Sequence, residues 1–262
     1  GDIPAHERNY IIKYCFGQNI RTYSVPKISD ILLRSSVELN LFDSPLLLSR
    51  NNQGLQIEQE IMKRIIDIVG SLIGIVITIP IFLIVGICIK MTDGGPVIYQ
   101  QTRLTKNGKK FQIYKFRTMV QNAEADGKAR LASEGDPRIL PIGRVLRATR
   151  LDELPQIYNI LKGDMSIVGP RPERPELAAE LEKEIPEFSF RLQVKAGLTG
   201  YAQVYGKYNT TPYDKLKLDL TYIRNYSVLE DLKLIIMTPK IMLMKESTEG
   251  VKEESNQTEM KD

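Results

Sequence analysis

The sequence predicts an α+β fold in which a compact body carries a re-entrant membrane helix hairpin, and three observations predict it. Residues 68–89, IVGSLIGIVITIPIFLIVGICI, hold no charged side chain and are dominated by Ile, Val and Leu. That run is interrupted by Pro80 and flanked by basic residues on both sides, Lys63 and Arg64 before it and Lys90 after it. Downstream, residues 91–228 alternate short β-like runs, bracketed by turn signals, with stretches of helical spacing.

Taken in chain order, residues 1–60 read as a fragment of a soluble fold. The opening is polar and lacks the apolar core of a signal peptide. Ile20 to Pro26 has strand character, and Ser29 to Leu39 has helical spacing. At a rise of ~1.5 Å per residue, the run 68–89 is just long enough to cross a hydrocarbon core of ~30 Å, so a single spanning helix is one reading. Pro80 argues against it: proline removes a helix hydrogen bond and forces a bend, and Thr78 is placed to satisfy a freed carbonyl. Cytoplasmic flanks attract Lys and Arg, so enrichment at both ends favours re-entry with both ends in the cytosol.

In the body, Asp93-Gly94-Gly95-Pro96 and Lys106-Asn107-Gly108-Lys109 bracket the β-like runs Val97–Gln101 and Lys110–Lys115. Helices are predicted over Pro155–Leu161, ending before Gly163, over Glu176–Glu184, and over Asp214–Asn225, where Leu216, Leu220 and Ile223 share a face. The apolar stretch Leu229–Met244 is interrupted by Lys233, Pro239 and Lys240, and a core helix or a helix lying in the membrane interface fits it equally. Residues 246–262 have the charged, polar composition of a disordered tail. The layout is therefore 1–60, a membrane helix at 61–90, a body at 91–245 and the tail.

Composition narrows the chemistry. The chain has 262 residues, 42% of them hydrophobic and 26% charged, enough for one substantial core. A net charge of +4 does not argue for nucleic acid, and the basic runs lack interleaved aromatic platforms. Those runs are clustered. Arg103, Lys106, Lys109, Lys110, Lys115 and Arg117 lie in an acid-free stretch, and Arg138, Arg144, Arg147 and Arg150 lie in another that stops at Asp152-Glu153. His6 is the only histidine, which removes a histidine dyad or a histidine-ligated metal from the body. Cys15 and Cys88 sit in unrelated contexts, as reduced thiols would. Nucleophile-elbow, dinucleotide and P-loop motifs are absent. Chemistry falls to carboxylates, arginines, lysines, tyrosines and a hard metal ion.

The densest group of such residues is Arg144, Arg147 and Arg150 followed by Asp152-Glu153 and Pro155. Pro155 favours the first turn of a helix, which puts the two carboxylates at its positive end, a natural anion site. Nearby arginines and that dipole are expected to keep Asp152 ionised near neutral pH. Plain helix capping is the alternative. Arg171 stands between Pro170 and Pro172, a rigid setting for a guanidinium that grips phosphate, or else a surface turn. Lys115 and Arg117 flank a strand and suit either phosphate contacts or a basic edge facing lipid headgroups. Tyr201 is either a base-stacking aromatic or a core residue.

The motifs KRIIDIVGS at 63–71, DGGPVIYQQTRLTKNGKKFQIYKFRTM at 93–119 and GRVLRATRLDELPQIYNILKGDMSIVGPRPERPE at 143–176 carry a resemblance. VKAGLTGYAQVYGKYN at 194–209 and KLKLDLTYIRNYSVLEDLKLIIMTPK at 215–240 continue it in unbroken order. Together they resemble the bacterial monotopic phosphoglycosyl transferases, which initiate exopolysaccharide, capsule or glycoconjugate assembly. The resemblance implies that 91–245 is a catalytic domain, and that residues 1–60 are the end of the Rossmann-like regulatory domain of the longer members. It implies a membrane helix that breaks at Pro80, Asp152 as nucleophile and magnesium ligand, and Glu153 as its support. Arg147 and Arg171 fall on phosphate-contacting positions, Asp219 on another position needed for activity, and Lys115 and Arg117 on further phosphate contacts.

The implied reaction moves a sugar 1-phosphate from a UDP-sugar to undecaprenyl phosphate, releasing UMP through an aspartyl-phosphosugar intermediate. It needs Mg2+ and takes place on the cytoplasmic face of the cell membrane, with the bilayer as a partner and nucleic acid excluded. A carboxylate attacking an anionic diphosphate meets charge repulsion, so a divalent cation and arginines are what such a site requires. An ordinary glycosyltransferase releasing UDP would usually show an Asp-x-Asp motif, which is absent, and a membrane-anchored scaffold would need Asp152-Glu153 to be mere caps. The sugar, the pathway and the oligomeric state, a homodimer included, stay open.

Overall fold

The apolar run folds as a single long helix. The computed structural model describes residues 3–34, 36–41, 44–48, 55–121, 123, 136–207 and 209–242. The predicted tail lies outside them. Helix α3 runs without interruption from Ile57 to Asp93, 37 residues, and is therefore about 55 Å long. The Gln56 N–H donates to Gln59 Oε1 at 3.0 Å at its start, and Gly94 closes its end with φ 68°. The expected break at Pro80 does not occur. Proline's fixed φ is itself helical, so the turn loses one N–H donor without leaving the helix. Thr78 Oγ1 donates to Gly74 O at 2.7 Å, not to the Val76 carbonyl that Pro80 cannot serve.

The two faces of α3 differ. Lys63, Asp67, Ser71, Thr78, Val85 and Ile89 are buried, a stripe with spacings of four and seven. The opposite face leaves Val69, Ile73, Val76, Ile77, Leu83, Ile84 and Ile87 exposed. Only 11% of the apolar window is buried, and α3 is the one helix among the described residues long and apolar enough to cross a membrane. A soluble protein's core helix would be covered, so the exposed stripe marks a membrane-associated element.

The body packs along the whole length of α3. Glu60 meets Lys106, Arg64 caps the carbonyls of Ile160 and Leu161, and Asp67 accepts from Ser166 Oγ and the Ile167 N–H at 2.9 and 2.8 Å. Farther on, Phe82 packs on Phe116, and Asp93 binds the Arg117 guanidinium. Both ends and the middle of the helix are held by one body.

That body is a set of small layers. β3 (Ile98–Leu104) and β4 (Lys110–Phe116) form an antiparallel hairpin. Its tip turns at Asn107 and Gly108, both with positive φ, as the Asn-Gly pair predicts. β5 (Ser166–Val168) and β6 (Gly197–Thr199) pair in parallel. Helices α4 (Pro141–Ala148), α5 (Gln156–Lys162), α6 (Pro175–Glu184), α7 (Tyr201–Val204), α8 (Pro212–Arg224) and α9 (Val228–Met242) surround them. Gly163 closes α5 at φ 96°, a conformation only glycine adopts without strain. Leu216, Leu220 and Ile223 of α8 are buried, as predicted, in a core with Val168, Val194, Tyr222 and Leu234. α9 is partly core and partly open: Leu234 is fully buried while Leu229 and Ile236 are exposed.

Residues before α3 depart from expectation. Ile20–Pro26 forms no strand, and the predicted helix shortens to α2 (Ile28–Arg34), with Val37–Leu41 in strand β1 instead. β1 pairs antiparallel with β2 (Ser44–Leu48), and α1 (Ala5–Gly17) precedes α2. No parallel βαβ unit of the Rossmann type is present among the described residues before α3. Ile28 and Ile31 instead join the core of α8. Periodicity could not foresee this, because the partner lies nearly two hundred positions away in the chain.

Inside the core, Lys63 donates to Asp231 Oδ2 at 2.7 Å and to Tyr222 Oη at 2.9 Å, and Tyr222 donates to Asp231 Oδ1 at 2.7 Å. Lys63→Ala strands a buried carboxylate and is expected to cost about 3–5 kcal/mol of stability. Lys63→Met with Asp231→Leu is expected to recover most of it. Denaturation of the three proteins in detergent checks this, and equal stability of Lys63→Ala and wild type would refute the network's role.

Candidate active site

The carboxylate pair is positioned by a tight approach and a strained residue. Gly143, in the first turn of α4, sits so close to the Thr118 backbone that a Cβ would lie 2.2 Å from its carbonyl oxygen. One turn later, Arg147 Nε donates to Thr118 Oγ1 at 3.0 Å. After α4 the chain reverses through Arg150 at φ 58°, a left-handed conformation costly for a residue with a side chain. The reversal feeds one 3₁₀ turn, Leu151–Glu153, and Pro155 then takes the N-cap position of α5. Asp152 and Glu153 thus stand at the start of α5, where the sequence puts them. Leu151 and Leu154, on either side of the pair, pack against a cluster that joins Val85 and Ile89 of α3 to Phe116 and Leu146. The site therefore adjoins the membrane-associated helix.

Glu153 is buried and gripped from two directions. Lys115 Nζ, from β4, donates to its Oε1 at 2.9 Å, and Arg171 NH2 donates to the same oxygen at 2.6 Å. Burial alone would push the Glu153 carboxyl up, but Arg171 and Lys115 outweigh it and hold the carboxyl well below the usual range. Burial pushes the Lys115 ammonium down, opposed by Glu153. Asp152 is partly exposed, and no hydrogen bond to its carboxylate occurs among the described residues. Burial and then the neighbouring Glu153 charge raise its carboxyl above the ordinary value, while Lys115, Arg147 and Arg171 pull the other way. Burial and Glu153 thus outweigh the pull of the cations on Asp152.

Lys115, Arg147, Arg171, Asp152 and Glu153 are thus brought together. Arg117 is not. It is 5% exposed, donates to Pro96 O at 2.7 Å and to Asp93 Oδ2 at 2.6 Å, and so fastens the end of α3 to β4. Asp219 does not reach the site either. It is 1% exposed and lies 2.7 Å from Arg191 NH2, which donates to the Arg171 carbonyl at 3.0 Å. Its link to the site runs through Arg191 and the backbone of the loop that carries Arg171. Tyr201 is a packing residue: its hydroxyl donates to Glu230 Oε1 at 2.9 Å and its ring meets Tyr205 and Tyr222.

Two partners escaped the sequence reading. Arg191 stands in a 3₁₀ segment with no motif to mark it. Asn159, fully buried on α5, receives the Tyr114 N–H at 3.0 Å and donates to Gln112 O at 2.7 Å, docking α5 on β4.

No group of three or more acidic, cysteine or histidine side chains able to cage a metal occurs among the described residues. Of the two carboxylates at the site, Asp152 offers oxygens with no hydrogen bond among the described residues, which suits a magnesium ion completed by substrate oxygens and water.

Fold and site together define a membrane-associated α+β protein with a carboxylate pair in a cationic setting. The chain belongs to the bacterial sugar transferase family, whose model matches residues 58–245. It is 40% identical over 185 residues to a UDP-N-acetylgalactosamine-undecaprenyl-phosphate N-acetylgalactosaminephosphotransferase of Aeromonas hydrophila, covering 70% of this chain and 44% of that one. It is 43% identical over 197 residues to the galactosyl transferase CpsE of Streptococcus agalactiae, covering 70% of this chain and 42% of that one. A UDP-glucose:undecaprenyl-phosphate glucose-1-phosphate transferase of Caulobacter vibrioides is 37% identical over 189 residues, 70% of each chain. The chain spans less than half the length of the first two.

Arg171→Gln is expected to raise the Glu153 titration, since burial is then opposed mainly by Lys115. Carboxyl 13C shifts followed against pH check this. Glu153 is expected to titrate below the exposed glutamates in the wild type, and a wild-type Glu153 titrating with them would refute the clamp.

Proposed function

We propose that the chain transfers a sugar 1-phosphate from a UDP-sugar to undecaprenyl phosphate on the cytoplasmic face of the membrane, an opening step of polysaccharide synthesis. The observation that carries this reading is the partly exposed Asp152, without a hydrogen bond among the described residues, beside the clamped Glu153 and three cations, against a helix with an exposed apolar face. The relatives' names, all ending on undecaprenyl phosphate or a sugar transfer, support the substrate pair. Their sugars differ, so the sugar of this chain is left open.

Asp152 attacks the β-phosphorus of the UDP-sugar, and the bond to the bridging oxygen breaks, so UMP leaves with the electron pair. The phosphosugar is then held on the Asp152 carboxylate as an acyl phosphate. An oxygen of undecaprenyl phosphate attacks the same phosphorus, the bond to Asp152 breaks, and the carboxylate is regenerated. One diphosphate linkage is lost and one is made. Arg147 and Arg171 bind the phosphates, and Glu153 holds Lys115 and Arg171 in place without itself reacting. Magnesium, when bound at Asp152, supplies the charge neutralisation that an anionic nucleophile needs near a diphosphate.

Re-entry of α3 from the cytoplasmic side, with the continuous helix bent at Pro80, is part of this reading. It is supported by basic residues at both ends of the apolar run and by a body that grips the helix from Glu60 to Asp93. It keeps the acceptor's phosphate and the nucleotide sugar on one side of the bilayer.

Purified protein with magnesium, undecaprenyl phosphate and a panel of UDP-sugars is expected to release UMP, with at least a ~10³-fold loss in Asp152→Asn and loss on chelation. Release of UDP would refute phosphosugar transfer. The nucleophile acts as an anion, so the rate rises with pH through the Asp152 pKa. Glu153→Gln removes a negative neighbour that raises this pKa and frees two cations that lower it. The acid limb of kcat/KM is therefore expected to move to lower pH in Glu153→Gln, and an unmoved limb would refute the coupling.

A further inference from the structure

A cavity lies at the other end of α5 from the carboxylate pair. It has a volume of about 430 Å³, and its walls include Ile57, Ile61 and Ile65 of α3 together with Arg64, Lys106 and Lys195. The three isoleucines are exposed and recur every four residues, and the same row continues through Val69, Ile73 and Ile77 of the lipid-exposed face. The cavity therefore opens where the membrane-facing stripe begins, at the level where apolar side chains give way to charged ones. That level is where phospholipid headgroups lie.

Its charges are unevenly matched. Glu60 is taken by Lys106, Lys63 by Asp231, and Asp67 by Ser166 and the Ile167 N–H. Arg64 donates to the carbonyls of Ile160 and Leu161, each at 2.7 Å, which uses two of its N–H groups and leaves its charge without a carboxylate partner among the described residues. Lys195 is half-buried and likewise has no acid within ion-pair distance among them. Burial and then the charge of Arg64 push its ammonium down against the opposing pull of Asp67 and Glu60, a net cost that an anion in the cavity would offset.

We infer that this cavity binds the phosphate headgroup of a resident anionic glycerophospholipid, gripped by Arg64 and Lys195 with its acyl chains laid along the isoleucine row. The inference rests on the membrane association of α3. The bound lipid is distinct from the acceptor, because α5, seven residues or ~10 Å long, separates the cavity from Asp152. Its role is to fix the depth at which the N-terminal end of α3 sits in the interface.

The test uses the full chain in detergent, titrated with phosphatidylglycerol and read by native mass spectrometry, for wild type, Lys195→Gln and Lys195→Glu. One saturable phosphatidylglycerol per wild-type chain is expected, with affinity reduced about threefold in Lys195→Gln and about tenfold in Lys195→Glu. UMP release is expected to be unchanged in both variants. A thermal transition for each variant reports folding, and Lys195→Gln alone carries the test if the charge reversal unfolds the chain. Equal binding by the three proteins would overturn the inference. So would equal occupancy by inorganic phosphate, which makes the cavity an ion site. Displacement of the lipid by undecaprenyl phosphate at concentrations that saturate turnover would assign it to the acceptor, again against the inference. Absence of UMP release from the wild type is a separate readout and bears on the proposed reaction alone.

Discussion

A single buried carboxylate holds the site together. Glu153 draws Lys115 from β4 and Arg171 from the proline-flanked loop onto one oxygen, so three stretches distant in sequence converge around the 3₁₀ turn. Two charge-assisted bonds make its burial tolerable, and without them the carboxyl would be desolvated and driven to the neutral form. The clamp has a consequence next door. With Lys115 and Arg171 bonded to Glu153, the Asp152 carboxylate has no hydrogen bond among the described residues, and burial and then the neighbouring Glu153 charge raise its pKa. Two carboxylates side by side in the chain are thus given different environments by what folds around them.

Behind the clamp stands a second layer. Arg191 bonds the Arg171 backbone and pairs with the fully buried Asp219, and Arg103 donates to Pro172 O at 3.2 Å. The rigidity that prolines lend this loop is thus supplemented by two guanidinium contacts to its carbonyls. Asp219 lies away from the carboxylate pair and is joined to the loop that carries Arg171 through Arg191.

α3 has to satisfy two solvents at once. Its exposed face is apolar over most of its length, while its buried stripe carries Lys63, Asp67, Ser71 and Thr78, each paired within protein or with the helix's own carbonyls. Polar groups on the inner face cost little because every one is satisfied, and charges on the outer face are confined to the ends. The same helix supplies Val85 and Ile89 to the core beneath Asp152, so membrane attachment and active-site support share one element.

What the sequence by itself determined was local. The charge-free run, the Asn-Gly hairpin tip, the stop at Gly163, the apolar face of α8 and the Asp152-Glu153 pair ahead of Pro155 all follow from spacing, glycine and proline, which act within a few residues. The tertiary structure decided what the charges do. Arg117 found Asp93 at 24 positions' remove, Lys63 found Asp231 at 168, and Lys115 and Arg171 found Glu153 at 38 and 18. It also kept α3 helical through Pro80 and turned residues before it into α2 and a hairpin. The physical reason is the range of the forces: backbone propensity is set by neighbours in the chain, whereas the partner of a buried charge is set by whichever surface folding brings within a few ångströms, and a single sequence does not state that pairing.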